Sequence, residues 1–340
     1  MRFLHTADWQ IGMKAAMVGA AGSRVRAARL ESARTVIDLA RRHDAAFVLL
    51  AGDTFEHNGV SRKLVEDVAR ILGEAGRPVY VLPGNHDPLE TGSVWEHSSW
   101  EQWPHVRVLR QAEPVPAPGA TLYPCPLRER WSGEDPTAWI PSGGEGVRIG
   151  IAHGTVKGVP ETGRSHPIAL EQPVDYMALG HWHSTAIYGR AAYSGTHEPT
   201  AFGERESGNA LLVEIDGPGA PPRVRKLPTA RLQWVVREGS LRETLAAVES
   251  EHDPGSTLVD CRPSGFLAAC DRDLVDRLEM LLRRRFLFAR LDRSRLLPEP
   301  EDDGWIEELP AGYLRETARR LRARQDAAGA RALLELYGLL

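Results

Sequence analysis

The sequence predicts an α+β chain, and three features carry that reading. Up to residue 82, apolar strands alternate with amphipathic helices, the pattern of a layered arrangement with right-handed crossovers. Between residues 147 and 216 short strands dominate, so this part is mostly sheet. Near Thr229 the composition shifts, and a further strand–helix–strand–helix–strand series follows, the pattern of a small α/β cap. The expected divisions are 1–229, 230–297 and 298–340, the last a linker with C-terminal helices.

Residues 2–7 read as the first strand, ending before Asp8. After the Gly-, Ala- and Met-rich loop 9–22, a helix is expected over 23–43. Leu30, Ala33, Ile37 and Ala40 form its apolar stripe, and Arg24, Arg26, Arg29 and Arg34 are assigned to its surface. Strand 46–51 ends at Gly52-Asp53, and helix 61–75 follows, with Ser61 as N-cap and Leu64, Val68, Ile71 and Leu72 facing inward. Strand 79–82 stops at Pro83-Gly84.

From 90 to 142 the pattern loosens, with short strands at 106–109 and 121–123. Trp95, Trp100, Trp103, Trp131 and Trp139 read there as satellite core under long loops. Strands 148–152, 175–179, 185–188, 192–194 and 210–215 come next, and the Gly/Pro turn after Asp216 pairs the last with strand 223–227. The cap reads as strands 232–237, 256–261 and 286–291 with helices 241–251 and 272–284. An acidic linker over 297–304 and one or two helices over 313–340 complete the chain.

At 42% hydrophobic and 26% charged, the composition is that of an ordinary globular chain, and no apolar run reaches the length of a membrane span. With no signal-peptide pattern before Arg2, the expectation is a cytoplasmic protein. Cys125, Cys261 and Cys270 are too scattered for a disulfide framework or a zinc ribbon. A net charge of -4 argues against a generally cationic surface, although arginines cluster over 283–295 and 315–324.

Five strand-like runs end on polar groups: Asp8, Asp53, the turn Gly84-Asn85-His86-Asp87, His153, and Gly180-His181-Trp182-His183. Together with Gln10 they form a mixed oxygen and imidazole set suited to Mn²⁺, Mg²⁺, Fe²⁺ or Zn²⁺. The set is too large for one ion and suits a pair about 3.5 to 4 Å apart, which can clamp the attacking and leaving oxygens at phosphorus. His181 and His183, two residues apart, would point to opposite faces of a strand, so the chain must turn at Gly180.

The order of these residues resembles the calcineurin-like metallophosphoesterase superfamily. His5-Thr6-Ala7-Asp8 with Ile11-Gly12, and Tyr193-Ser194-Gly195-Thr196-His197-Glu198 with Phe202-Gly203-Glu204, resemble its Mre11/SbcD nuclease branch. The resemblance covers about residues 1–230 and implies a β-sandwich flanked by helices in αββα layers. It implies one metal on Asp8, Gln10, Asp53 and His183, and a second on Asp53, Asn85, His153 and His181, with Asp53 bridging. His86 would be general acid or transition-state stabiliser with Asp87 orienting it, and a metal-bound hydroxide would be the nucleophile.

The branch has histidine where this chain has Gln10, and a glutamine carbonyl is a harder, weaker ligand. The expectation is therefore a manganese-dependent enzyme in which Gln10 still ligates; in the alternative, Gln10 points away and water fills its place. DNA is the expected substrate, with DNA-repair proteins as associates, and Arg283, Arg284 and Arg285 are candidate phosphate contacts. His57 and Asn58 in loop 56–58, and loop 155–166, are candidate strand contacts. The branch docks a C-terminal segment on an SMC-like ATPase; here the short apolar tail, with Leu321, Ala328, Leu333, Leu334, Leu336, Tyr337 and Leu340, could dock, fold back or pair. A stand-alone homodimeric endonuclease on single-stranded or flapped DNA, with or without exonuclease action, is the expectation. The alternatives are a small-nucleotide or cyclic-nucleotide phosphodiesterase and a silent scaffold for an ATPase.

Overall fold

Strands and helices alternate at the start as the sequence predicts: β1 (Arg2–Thr6), α1 (Gly22–Arg42), β2 (Val48–Ala51), α2 (Arg62–Gly73) and β3 (Val79–Leu82). The computed structural model describes residues 1–158, 165–300, 302–324 and 326–340. These fall into two units, Met1–Gln233 and Trp234–Leu340. In the first, β4 (Val106–Val108), β5 (Val115–Ala117), β6 (Ala120–Cys125) and β7 (Val147–His153) follow β3. The short pair β8 (Thr155–Val156) and β9 (Pro167–Ile168) precedes β10 (Tyr176–Gly180), β11 (Ala186–Tyr188), β12 (Ala191–Tyr193), β13 (Asn209–Glu214) and β14 (Arg223–Pro228).

Two six-stranded sheets result, in the orders β14-β13-β1-β2-β3-β4 and β11-β12-β10-β7-β6-β5. Strands β1 to β4 run parallel. Their residues alternate between two buried surfaces, which is why they read as continuous apolar runs rather than as apolar–polar alternation. Phe3, Phe47, Leu49 and Tyr80 face Leu122, Ile149, Ile151 and Tyr176 in one core. Leu4, Val48, Leu50, Val79 and Val81 share the other with Ala33, Val36 and Ile37 of α1 and Val65, Val68 and Ile71 of α2. Ser61 caps α2, its hydroxyl accepting from Leu64 N at 3.4 Å. The second sheet carries a further core in which Trp139, Ile140 and residues of β8 and β9 cover Tyr123, Met177 and Tyr193, so among the described residues that layer is loop and short strand.

Three local readings change. Arg29, assigned to the surface of α1, is 1% exposed, because it lies four residues from both Val25 and Ala33 on the buried stripe. Trp95 and Trp100 belong to the main α1–α2 core beside Phe55 rather than to a satellite, whereas Trp131 is exposed. The linker expected at 297 begins inside a strand: in the second unit, β18 (Arg295–Pro298) pairs with β16 (Thr257–Leu267). That sheet also holds β15 (Gln233–Gly239) and β17 (Phe288–Leu291). It is backed by α3 (Leu241–Glu249), started by a Ser240/Glu243 capping box, and by α4 (Arg272–Arg285). Of the tail, Leu333 and Leu336 of α7 (Ala327–Gly338) pack with Ile306 of α5 (Trp305–Glu308) and Ala318 of α6 (Tyr313–Ala323), so this apolar face folds back on its own unit.

Trp95 stacks its edge on Phe55 at 5.8 Å and lies 5.5 Å from Trp100, while its indole N–H donates to the Asp87 carbonyl. Trp95→Ala is therefore expected to cost about 3–5 kcal/mol, read as a lower urea midpoint with an unchanged slope.

Candidate metal centre

All the expected ligands sit just past the carboxyl ends of parallel strands, where α/β sheets present their sites. Asp8 follows β1, Asp53 follows β2, Asn85 and His86 follow β3, His153 ends β7, and His181 follows β10. Parallel pairing of β1 with β2 and of β2 with β3 aligns the first three ends, and Gly180 of β10 lies beside His153 of β7. Ligand atoms of Asp8, Asp53 and His153 come within 4.8 Å of one another, all three buried.

The backbone bends sharply at these positions. Asp8, Gln10, Asp53 and His181 have φ of 53°, 42°, 51° and 107°, a region in which non-glycine residues persist only where their surroundings hold them. Gly84 permits the close approach of two strand ends, since a Cβ there would overlap the backbone nitrogen and a carboxylate oxygen of Asp53. The turn expected at Gly180 is completed at His181, whose amide donates to both carboxylate oxygens of Asp8 at 3.0 Å.

His153 Nε2 lies 2.9 Å from Asn85 Oδ1 and 3.3 Å from Asp53 Oδ2, and its Nδ1 faces the Ala51 carbonyl at 2.9 Å. His181 Nδ1 meets the same Asn85 oxygen at 3.0 Å. On the other side, Gln10 Nε2 contacts His183 Nε2 at 3.1 Å, so Gln10 points into the site. Half a turn of that amide would put its carbonyl oxygen in the same place. His183 Nδ1 faces Thr200 Oγ1 at 2.9 Å and Glu204 Oε1 at 3.0 Å. Because those partners and the Ala51 carbonyl hold the Nδ1 atoms, the Nε2 atoms of His153 and His183 are the ones aimed at the cluster.

Burial pushes the Asp8 carboxyl up, although His153 and His183 draw it down. Burial would also raise Asp53, but facing His153 and the His86 amide hold it well below the usual carboxylate range. Burial opposes charge on His153 as well, yet Asp53 outweighs it and lifts the imidazole to about 9. Burial and the neighbouring His153 charge push His181 down to about 3. Without a cation, facing Asp53 favours the charged form of His153. Buried carboxylates and a back-held imidazole fit a divalent cation at Asp8, Asp53 and His153, with Gln10, Asn85, His181 and His183 arranged around them.

The sequence profile of the Calcineurin-like phosphoesterase family matches residues 1–185, more than half of the chain. The chain belongs to that family. Among curated relatives, an uncharacterized metallophosphoesterase, YhaO of Bacillus subtilis (strain 168), is 30% identical over 180 residues, covering 48% of this chain and 43% of its own. The SbcD component of the SbcCD nuclease from the same organism is 26% identical over 265 residues, 63% of this chain and 66% of its own. The chain thus spans between two-fifths and two-thirds of the length of these relatives. Among solved structures, a 5'-nucleotidase precursor from Thermus thermophilus aligns with a TM-score of 0.38 and 14% identity, over 67% of this chain and 54% of its own.

Other expected residues are placed differently in this phosphoesterase. His86 is half-buried, its amide on Asp53 Oδ1 and its ring Nδ1 on the Glu56 carbonyl, each at 2.9 Å. The ring partner expected of Asp87 is therefore a backbone carbonyl. Asp87 instead accepts the amides of Gly84 at 2.7 Å and Phe55 at 2.9 Å and shapes the loop; burial and Asp53 push its carboxyl up to about 8. Asn58 ties its amide to Pro88 and Glu90, so that group is engaged in loop structure, while His57 is half-buried in the same loop. In loop 155–166, residues 159–164 lie outside the described residues.

In the second unit, Arg285 donates to the carbonyls of Val248, Glu249 and Glu251 at the end of α3, a helix-terminus role rather than a phosphate contact. Exposed Arg283 pairs with Glu279 at 2.8 Å, and Arg284 is exposed. Sequence reasoning assigned no role to Thr200, Glu204 or the Glu56 carbonyl. Glu204 was legible only as part of a motif, since its link to His183 depends on the loop between them.

Two outcomes follow from this geometry. With His153 lifted to about 9, cation binding at pH 7.5 is expected to expel about one proton, tightening binding as pH rises toward that value. Buffer-dependent calorimetric heats would show it, whereas buffer-independent heats would place no proton on His153. Glu204→Gln is expected to raise the divalent-cation concentration for half-maximal phosphoester hydrolysis by about 10–100-fold, with an unchanged circular dichroism spectrum.

Proposed function

We propose that this phosphoesterase is a two-cation phosphodiesterase acting on DNA, with Mn²⁺ the preferred ion. The observation that carries the reading is the buried meeting of Asp8, Asp53 and His153, with His86 beside them through its amide on Asp53 and its ring held by the Glu56 carbonyl. Bound cations would supply charge neutralisation at phosphorus and activation of water. The residues of the chain supply the rest. Asn85 and the histidines orient the ligand atoms, Asp8 fixes the His181 turn, and Asp53 stands between the two ligand groups.

His86 fits a role beside the scissile ester. A carbonyl only accepts, so Nδ1 carries a proton toward Glu56, and Nε2 is the ring atom left to hold or deliver a proton at a leaving oxygen. The DNA substrate is supported by the likeness to the SbcD nuclease component of Bacillus subtilis. That relative's name makes it one subunit of a nuclease, and a partner for this chain is part of the same reading. A second reading, a phosphodiesterase for small nucleotides, has its own support: Arg290 of the second unit pairs with buried Asp260, Arg295 with Glu238 and Arg283 with Glu279, so three arginines of the 283–295 cluster are tied to carboxylates.

The test is hydrolysis of a chromogenic phosphodiester and of circular single-stranded DNA by the isolated protein with Mn²⁺, Mg²⁺ or no metal. Cutting of the circle with Mn²⁺, lost by at least about 100-fold in His86→Ala and Asp53→Ala, is the expected result. Cleavage of the small diester alone would favour the second reading, and no cleavage of either would remove both.

A further inference from the structure

Asp8 and Gln10 both adopt left-handed backbone conformations, so the turn that carries them needs support on every side. Its amides are held by the end of β2: Asp8 N donates to the Gly52 carbonyl at 3.1 Å, and Gln10 N to the Asp53 carbonyl at 2.9 Å. Its carbonyls are held by one side chain of α1. Arg29 Nε donates to Trp9 O at 2.9 Å, and Nη2 donates to Trp9 O at 2.5 Å and to Asp8 O at 3.3 Å.

The rest of the guanidinium reaches a different segment. Nη1 donates to Glu198 O at 2.8 Å and Pro199 O at 3.3 Å, and Nη2 to Thr196 Oγ1 at 3.2 Å. Thr200, next in the chain, and Glu204 hold His183 Nδ1. Buried Glu198 lies close enough to favour the arginine charge, although burial draws Arg29 down to about 10.

We propose that Arg29 is a positioning residue selective for one cation site, fixing the Asp8-Trp9-Gln10 turn against the loop that orients His183. The proposal rests on the two-cation reading. It follows from connectivity: Asp8, Gln10 and His183 belong to one expected ligand group, and one rigid fork joins the carbonyls of Asp8 and Trp9, in the turn that carries Asp8 and Gln10, to the loop behind His183. A lysine keeps the charge but replaces the five donors of the planar fork with three on one nitrogen, so it cannot reproduce the bonds of Nε, Nη1 and Nη2 together.

The test is Mn²⁺ binding by calorimetry and electron paramagnetic resonance on the full chain. Arg29→Lys is expected to weaken one of two sites on the order of tenfold or more while the other is unchanged, converting a spin-coupled pair into an isolated ion at concentrations that fill the wild type. Thr196→Val, a milder change, should shift the same site less. Arg148→Lys controls for loss of a buried arginine, since Arg148 bonds Tyr123, Pro141 and Pro173, and should keep both sites. If Arg29→Lys and Thr196→Val lower the melting temperature yet bind two ions as tightly as the wild type, Arg29 is a structural brace only. A wild type that binds fewer than two ions would overturn the two-cation reading and this inference together.

Discussion

Two carboxylates, Asp8 and Asp53, are buried at adjacent strand ends, and the surrounding structure makes sense as the means of keeping them there. Removing a charge from water costs several kcal/mol unless a partner compensates. Here the compensation is divided. The amides of His86 and His181 donate to the two carboxylates, and His153 faces Asp53. That leaves a site with net negative character in a low-dielectric surround, a place where divalent cations gain much of their binding energy.

The sandwich supplies the rigidity. Because β1, β2 and β3 are buried on both faces, their ends cannot shift without disturbing one core or the other. Left-handed residues and close glycines can then be held at the ends, where an isolated loop would relax. The same parallel order places the amide of one strand end against the side chain of the next, so the ligand set is stiffened by backbone rather than by flexible contacts. Arg29 and Glu204 extend this scheme outward, one through carbonyls and one through an imidazole.

The second unit contributes a different lesson. Its arginines are numerous, but the structure engages several with carboxylates or helix-end carbonyls. Exposed ion pairs are worth little, roughly 0–1 kcal/mol, and can be exchanged for phosphate contacts, whereas Arg285 at the end of α3 holds its own fold together. Arginine count along a sequence is thus a poor measure of the charge a unit can offer a polyanion.

Much of the site was legible from the chain because strand ends are marked twice, by an apolar run and by the Gly or Pro that stops it. Asp53, Asn85, His181 and His183 follow such a mark, while Asp8 and His153 follow the apolar run alone; the structure brings ligand atoms of Asp8, Asp53 and His153 within 4.8 Å of one another. The sheet-rich middle, the hairpin after Asp216 and the Ser61 cap were legible for the same reason: they depend on local chemistry. Arg29, Glu204, the Glu56 carbonyl and the loop role of Asp87 were not, because each acts on a group many residues away and no periodicity records the distance. Sequence alone therefore determined most of the strands and helices and the inventory of candidate ligand atoms. Tertiary structure decided which nitrogen of each imidazole faces inward, which arginines are engaged, and which side chains hold the ligands in place, since those depend on loops meeting in space.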